Sequence, residues 1–459
     1  MRQIEIPAEK PAPIGGAAPT VAVFSHGCRA NQEEIECLLG ALRDRGFRPV
    51  PFGGSADWTI INTCSVTHAG EADARRTIRR AVRLSGGGRV VVTGCFAQRD
   101  PADAARLGAD LVVGNGEKWR IPDLLTSAAS GEGSCTGVLF QADPTTRRFL
   151  GHGTRPSGFR TRAALKVQDG CDERCTYCII PSLRGRSVSR DPDEVLAEAR
   201  LLVESGHQEI TLTGIHTAAY GADRGGPNLA GLLRRLLAVE RLERIRLNSL
   251  EPQWVDAELL DTLASSPRFC RHLHLPLQSG DAGVLKRMGR GYRPEAYREV
   301  AARARAAIPG VGIGADVMVG FPGEDEEAYA NTVALLEEVR PSYLHVFPYS
   351  ERPGVASARL PGRVDEETKR RRARRLAALD RRFRTAFLRA ADGAVHDLIV
   401  EAKEDRAGGA QCLTDTYIRV AVETDRSAGS WVTARLRWIG DPRRMRGIAV
   451  DSAVEESRR

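Results

Sequence analysis

Three thiols within eight residues set the strongest constraint on this chain. Cys171, Cys175 and Cys178 have three and then two residues between them. Thiolates are soft ligands that suit zinc or iron–sulfur clusters. A structural zinc site takes four closed ligands, often from two paired CxxC motifs. Here no fourth ligand stands nearby, and the next histidine, His207, falls on a later element. Three cysteines on a [4Fe–4S] cubane leave one iron without a protein ligand, whereas electron-transfer clusters have four. That arrangement suits direct binding of a substrate or cofactor to iron. The fold must therefore present this loop at an accessible rim, and the strand-like run Ala163–Val167 leads straight into it.

Residues 161–385 continue with a strand–helix rhythm repeated six times. The expected strands are Ala163–Val167, Glu209–Leu212, Arg244–Asn248, His272–Leu275, Gly312–Val319 and Tyr343–Phe347. Helices such as Pro192–Glu204 and Asp325–Val339 lie between them. The fold class is α/β, with a central partial (β/α)6 barrel whose site lies at the C-terminal ends of its strands. The thiol loop, Thr213, Gly214, Gln278 and Ser279 all fall on that rim. By position the last four are candidate cofactor contacts, and equally candidate loop-shaping residues. Asp316 is either a polar contact in the pocket or a hydrogen-bond acceptor beside a helix.

Residues 20–130 read as a separate parallel-sheet α/β domain. Strands Val21–Phe24, Trp58–Asn62 and Arg89–Gly94 deliver Cys28, Cys64 and Cys95 at their C-terminal ends, and Leu111–Val113 is a fourth strand. Ligands of open α/β sheets sit beyond those ends. One such cysteine would read as a buried core thiol, whereas three at equivalent positions point to a shared site. Residues 1–19 carry four prolines and no apolar signal region, which suggests a flexible tail. Residues 131–160, containing Cys135, read as a linker, 386–450 as a small β unit, and 451–459 as a charged tail. Cys37, Cys270 and Cys412 read as packing residues.

Charge narrows the partner. The net charge is +8. Arg75, Arg76, Arg79, Arg80 and Arg83 recur at helical spacing just after Cys64, and residues 362–390 hold eleven basic residues against four acidic. Two such faces can track nucleic-acid phosphates. No run of about 18 apolar residues appears, so a transmembrane helix is not expected and the location is taken as cytoplasmic.

The CxxxCxxC loop, with Tyr177 just before its last cysteine, resembles the signature of the radical S-adenosylmethionine (SAM) superfamily. The resemblance implies a [4Fe–4S] cluster on Cys171, Cys175 and Cys178, with SAM chelated at the open iron and Tyr177 among the cofactor contacts. Further motifs resemble the methylthiotransferases: Gly27-Cys28-Arg29-Ala30-Asn31-Gln32, Asn62-Thr63-Cys64-Ser65-Val66-Thr67, Thr93-Gly94-Cys95-Phe96-Ala97-Gln98, Leu275-Pro276-Leu277-Gln278-Ser279-Gly280, Met288-Gly289-Arg290-Gly291-Tyr292 and Val319-Gly320-Phe321-Pro322-Gly323-Glu324. That family implies a second [4Fe–4S] cluster on Cys28, Cys64 and Cys95, a C-terminal RNA-binding TRAM domain, an electron donor and a sulfur source. The implied reaction inserts a methylthio group at an unactivated C–H bond.

Asn31-Gln32-Glu33-Glu34 and Leu212-Thr213-Gly214-Ile215-His216 resemble the branch that acts on N6-threonylcarbamoyladenosine beside the tRNA anticodon. The alternatives are isopentenyladenosine in tRNA and an aspartate of a ribosomal protein. A reading of another class is a non-enzymatic nucleic-acid-binding protein with zinc at one or both triads.

Overall fold

Short β-branched runs with no polar alternation are buried on both faces, and such strands pair in parallel between layers of helix. In the computed structural model, which describes residues 18–132, 136–139, 149, 151, 161–403 and 409–450, six of them make the first sheet. They are β1 (Thr20–Ser25), β2 (Arg48–Val50), β3 (Trp58–Thr63), β4 (Arg89–Gly94), β5 (Leu111–Val113) and β6 (Gly137–Leu139). The order is β2-β1-β3-β4-β5-β6, and every pairing is parallel. Helix α1 (Arg29–Asp44) lays Ile35, Leu38, Leu39 and Leu42 on the face carrying Val23, Ile60 and Val91. Helix α2 (His68–Leu84) lays Ala74, Ile78 and Ala81 on the other face, against Ile61, Val90 and Val92. The stretch expected to be linker thus contributes a sheet strand, β6, in register with β5. The rest of that linker, Cys135 and the two tails lie almost entirely outside the described residues.

The second unit is an open barrel. Strand β7 (Ala163–Lys166) is followed by β8 (Gln168–Asp169), which pairs antiparallel with β9 (Val188–Ser189) and so pinches the base of the thiol loop. Strands β10 (Glu209–Thr213), β11 (Arg244–Leu247), β12 (His272–His274), β13 (Gly312–Val319) and β14 (Tyr343–Pro348) complete it. They form two parallel three-stranded sheets, β7-β10-β11 and β12-β13-β14, joined by bridges between Ile245 and Phe269 and between Ser249 and His274. Alternation along each strand sends Leu165, Leu212, Ile245, Ile313, Val317 and Leu344 into the helix-covered core. The residues between them, Glu209, Arg246, His272, His274 and Asp316, carry polar groups into the barrel.

The third unit is a closed five-stranded barrel of β15 (Val395–Lys403), β16 (Ala410–Leu413), β17 (Arg419–Val422), β18 (Trp431–Arg437) and β19 (Met445–Ala449), ordered β15-β16-β17-β19-β18. The long helix Glu366–Ala390 spans both barrels, with Leu376, Leu379 and Phe383 in the core of the large one and Leu388 in the core of the small one. The loop after β16 enters the base of the large barrel. There Arg246, held by Glu209 at 2.8 Å, donates to the carbonyls of Thr414 and Asp415, and the Tyr417 ring stacks on His272. Among the described residues, no helix is long and apolar enough to cross a membrane.

The N-terminal sheet is locked to the barrel by Glu34 of α1. Its carboxylate receives Lys166 at 2.6 Å and Arg184 at 2.8 Å, together with Lys118. Burial pushes this carboxyl up, but the three cations, Arg184 foremost, hold it well below the usual range. Removing one member of a buried ion cluster leaves the others uncompensated and costs about 3–5 kcal/mol. Glu34→Ala is therefore expected to move the first urea-unfolding transition to lower concentration by that order, while exposed Glu240→Ala leaves it in place.

Candidate functional site

The first thiol triad is shaped by its own turn and by the loop after β12. Cys178 N–H donates to the Cys175 carbonyl at 3.0 Å and Cys171 N–H to the Gly185 carbonyl at 3.1 Å. Thr176 is held from outside, its N–H on the Met288 carbonyl and its hydroxyl on that of Arg287. All three sulfurs are half-buried. Burial pushes the Cys171 thiol up to about 12 and the Cys178 thiol to about 11. Arg290, ion-paired with Glu251, donates to the Cys175 sulfur at 3.4 Å, and its buried Nε has no hydrogen-bond partner. Tyr177 meets Phe321 edge to face at 6.3 Å, in a cluster with Met318 and Tyr349.

The second triad forms at the ends of β1, β3 and β4. Cys28 caps α1, Cys64 follows Thr63, and Cys95 opens the short helix Cys95–Arg99. The glycines before two of them make the approach possible. Gly27 has φ +89°, and a Cβ there would stand 2.7 Å from the Cys64 Cβ. Gly94 has φ +93°, and a Cβ there would stand 2.4 Å from the Thr63 carbonyl oxygen. Both conformations favour glycine. Cys64 is pushed up to about 12, first by burial and next by the negative potential of Cys95.

One short segment joins the two triads. Ile179, the residue after Cys178, packs with Leu183 and Val355 against Cys95. Arg184 closes that segment and binds Asp169 at 3.1 Å, Asn31 Oδ1 at 2.5 Å and Glu34. A second cation comes from the loop after β14. Arg352, 1% exposed, pairs with Glu71 and with Ser65 at 3.2 Å, feels the charge of Cys64 and Cys95, and has Nε and Nη1 unpartnered.

These features fit iron–sulfur clusters better than single ions. The nine described cysteines are all free of disulfides. Ligands about 2.3 Å from one zinc stand about 3.8 Å apart. Among the described residues, the group of three potential ligands lying within 4.8 Å of one another is His274, Asp316 and His345, and neither cysteine triad. The sulfurs are thus spread more widely than one tetrahedral ion allows, and each triad has a buried cation with spare N–H groups beside it. Anionic clusters draw such donors.

The rim residues divide. Gln278 has φ +63° and a buried, unpartnered Oε1, and Gly214 leaves less than 3.1 Å between a would-be Cβ and Gln168 Oε1, the Gln168 carbonyl oxygen and Thr217 Oγ1. Thr213 accepts from Asn248 at 3.1 Å. Ser279 turns from the rim: its hydroxyl pairs with Thr332 at 3.3 Å and accepts from the Asp281 N–H, fastening the loop to a helix. Arg75 leaves the expected basic face, drawn inward by Asp103 at 2.8 Å and stacked on Phe96, while Arg76, Arg79, Arg80 and Arg83 stay exposed. Cys37, Cys270 and Cys412 are buried. The sequence reading gave no role to Glu34, Arg184, Arg290 and Arg352; Glu34 and Arg290 carried a signal, since each lies in a singled-out motif.

Comparison with known proteins agrees with this geometry. Residues 165–336 match the radical SAM superfamily, and residues 20–114 match the family described as uncharacterized protein family UPF0004. The threonylcarbamoyladenosine tRNA methylthiotransferase MtaB of Bacillus subtilis is 37% identical over 92% of this chain and 95% of its own length. The protein of the same name from Aquifex aeolicus is 36% identical over 90% and 98%. The ribosomal protein uS12 methylthiotransferase RimO of Desulforudis audaxviator is 34% identical over 93% and 96%. Among solved structures, the radical S-adenosylmethionine methyltransferase TsrM of Kitasatospora setae shares the fold, with a TM-score of 0.56 at 18% identity over 74% of this chain and 77% of that one. With both triads on one junction and relatives of this identity over nearly the whole length, the chain belongs to the methylthiotransferase family of radical SAM enzymes.

Proposed function

We propose that this enzyme methylthiolates N6-threonylcarbamoyladenosine beside the anticodon of tRNA. The observation that carries the reading is the packing of Ile179 and Leu183, at the end of one thiol triad, directly against Cys95 of the other. Cys171, Cys175 and Cys178 would hold the cluster that binds SAM, and Cys28, Cys64 and Cys95 the auxiliary one. When bound, the two [4Fe–4S] clusters and SAM supply the one-electron chemistry that replaces C2–H by C2–SCH3, given an external electron donor and sulfur source. The chain's own contribution is proximity: the shared segment holds both centres near one substrate carbon. Arg290 and Arg352 place positive charge against the sulfurs. Exposed Arg76, Arg79, Arg80 and Arg83, the helix Glu366–Ala390 and the C-terminal barrel, read as a TRAM domain, would follow the RNA phosphates. The two MtaB relatives support the threonylcarbamoyl substrate. The RimO relative makes a ribosomal-protein aspartate the second reading.

Nucleoside mass spectrometry of tRNA from a strain lacking the gene tests the substrate. The expected result is loss of 2-methylthio-threonylcarbamoyladenosine with accumulation of its precursor. An unchanged level sinks the assignment and favours the ribosomal-protein reading.

Ligand roles are tested by alanine replacement of each triad. The reconstituted enzyme should hold about eight irons per chain, and either triple variant about four. Loss of Cys171, Cys175 and Cys178 should abolish SAM cleavage. Loss of Cys28, Cys64 and Cys95 should leave cleavage but end methylthiolation.

The raised thiols give a pH signature. Unfolded thiols ionise near 9.0, whereas folded Cys64 and Cys171 hold their protons to about 12. Above about 9 the unfolded chain sheds protons that the folded chain keeps, so stability present below that pH is lost as pH rises toward 12. The iron-free protein should melt progressively earlier across that window. The loaded protein, whose thiolates are already ligated, should not show this thiol-dependent decline.

A further inference from the structure

One polar cluster has no part in either triad. On the inner wall of the large barrel, Asp316 Oδ1 lies 2.9 Å from His274 Nε2 and 3.2 Å from His345 Nδ1. The other nitrogen of His274 lies 3.1 Å from the Tyr343 hydroxyl, which also meets His272 at 2.9 Å. These two hydrogen bonds to one carboxylate oxygen account for the cluster without an ion. Among the described residues, no donor takes the second oxygen of Asp316.

The cluster lies close to the reacting end of the barrel. Asp316 and Met318 project from the same face of β13, two residues or about 7 Å apart. Met318 packs with Tyr177 of the thiol loop, and the Asp316 carbonyl accepts from the N–H groups of Leu277 and Gln278. On the other side, the His345 side chain is 57% exposed. With Tyr343 it lines a cleft of about 450 Å³ that also presents Arg381 and Arg419, while Arg384 there is paired with Asp380 at 2.8 Å. A hydrogen-bond acceptor therefore stands inside the barrel, and cations stand at the opening beside it.

We infer that His274, Asp316 and His345 form the subsite that recognises the polar N6 substituent of the substrate base. The inference rests on the proposed threonylcarbamoyladenosine substrate and names the residues that read it. A threonylcarbamoyl group carries urea N–H donors and a terminal carboxylate. The free oxygen of Asp316 accepts from a urea N–H, the two imidazoles hold the Asp316 carboxylate in place by hydrogen bonds, and the carboxylate of the substituent faces the basic cleft. A dimethylallyl group at this position would leave the same polar groups unpaired. Sites built around such groups reject apolar analogues strongly.

The test compares binding of two anticodon stem-loop RNAs to the reconstituted holoenzyme by fluorescence anisotropy. They differ only in carrying threonylcarbamoyladenosine or unmodified adenosine. Wild type is expected to prefer the first by about tenfold to a hundredfold, the worth of one or two hydrogen bonds to a charged group. Asp316→Asn and His345→Ala should each bring that ratio toward one, and His345→Gln, which keeps a donor, should restore part of it. A ratio of one in wild type, or a wild-type ratio in both variants, overturns the inference. So does a parallel loss on both RNAs, which a purely structural role would produce. Turnover separates the two claims. If wild type makes no methylthio product from the first RNA, the proposed substrate fails and the subsite with it. If product forms while the ratio is insensitive to both variants, only the subsite fails.

Discussion

The structure depends first on a carboxylate taken out of water. Glu34 sits at the junction of the N-terminal sheet and the barrel, bound by Arg184, Lys166 and Lys118. Each cation comes from a different part of the chain: the thiol-loop segment, the first barrel strand and the far end of the N-terminal sheet. Asp169 and Asn31 satisfy further donors of the same group. Such a cluster is poor as a source of net stability, because desolvating five charges costs nearly as much as their attraction returns. Its value is positional. Apolar contacts tolerate sliding, whereas a carboxylate with three directed cations has essentially one arrangement that satisfies all of them. The two domains are therefore held in one orientation, and that orientation brings Cys95 against Ile179.

That contact makes the two triads parts of one site. In a barrel alone, the loop Cys171–Cys178 would open onto solvent on its outer side. Here the segment that leaves it, Ile179–Arg184, is covered by the N-terminal domain, with Asn115 donating to the Leu183 carbonyl at 2.8 Å. Arg184 then turns back into the junction and Arg352 approaches from the loop after β14. Positive charge thus reaches the second triad from the segments that follow the first and last strands of the same barrel.

Much of this was legible because its signals are local. Thiol spacing is a property of eight residues, and a strand ending in a cysteine can be read at each of β1, β3 and β4 separately. The six barrel strands recur between helical stretches in a regular rhythm, which makes even the three-residue β12 legible. What escaped is either too short or too distant. Strand β6 has three residues and no periodicity to detect, and it exists because β5 offers an edge. Glu34 and Arg184 are 150 residues apart, so neither announces its partner. Arg75 fits the helical spacing of its neighbours and leaves their face only because Asp103, on another helix, stands within reach. Ser279 sits on the rim by sequence position, yet a buried hydroxyl takes the nearest partner, and that partner is Thr332.

One last contact bears on how the chain is put together. Arg29, the residue after Cys28, donates to the Tyr417 hydroxyl at 2.9 Å, and Tyr417 holds a left-handed backbone, φ +71°, in the loop that enters the base of the barrel. The first and last units of the protein therefore touch through the middle one. The C-terminal barrel is therefore not a separable appendage in this chain. Any replacement would have to supply an aromatic hydroxyl at the same depth, or leave the half-buried Arg29 guanidinium beside the second triad without that partner. Exchange of the C-terminal unit is thus constrained by a contact to the first unit as well as by those to the middle one.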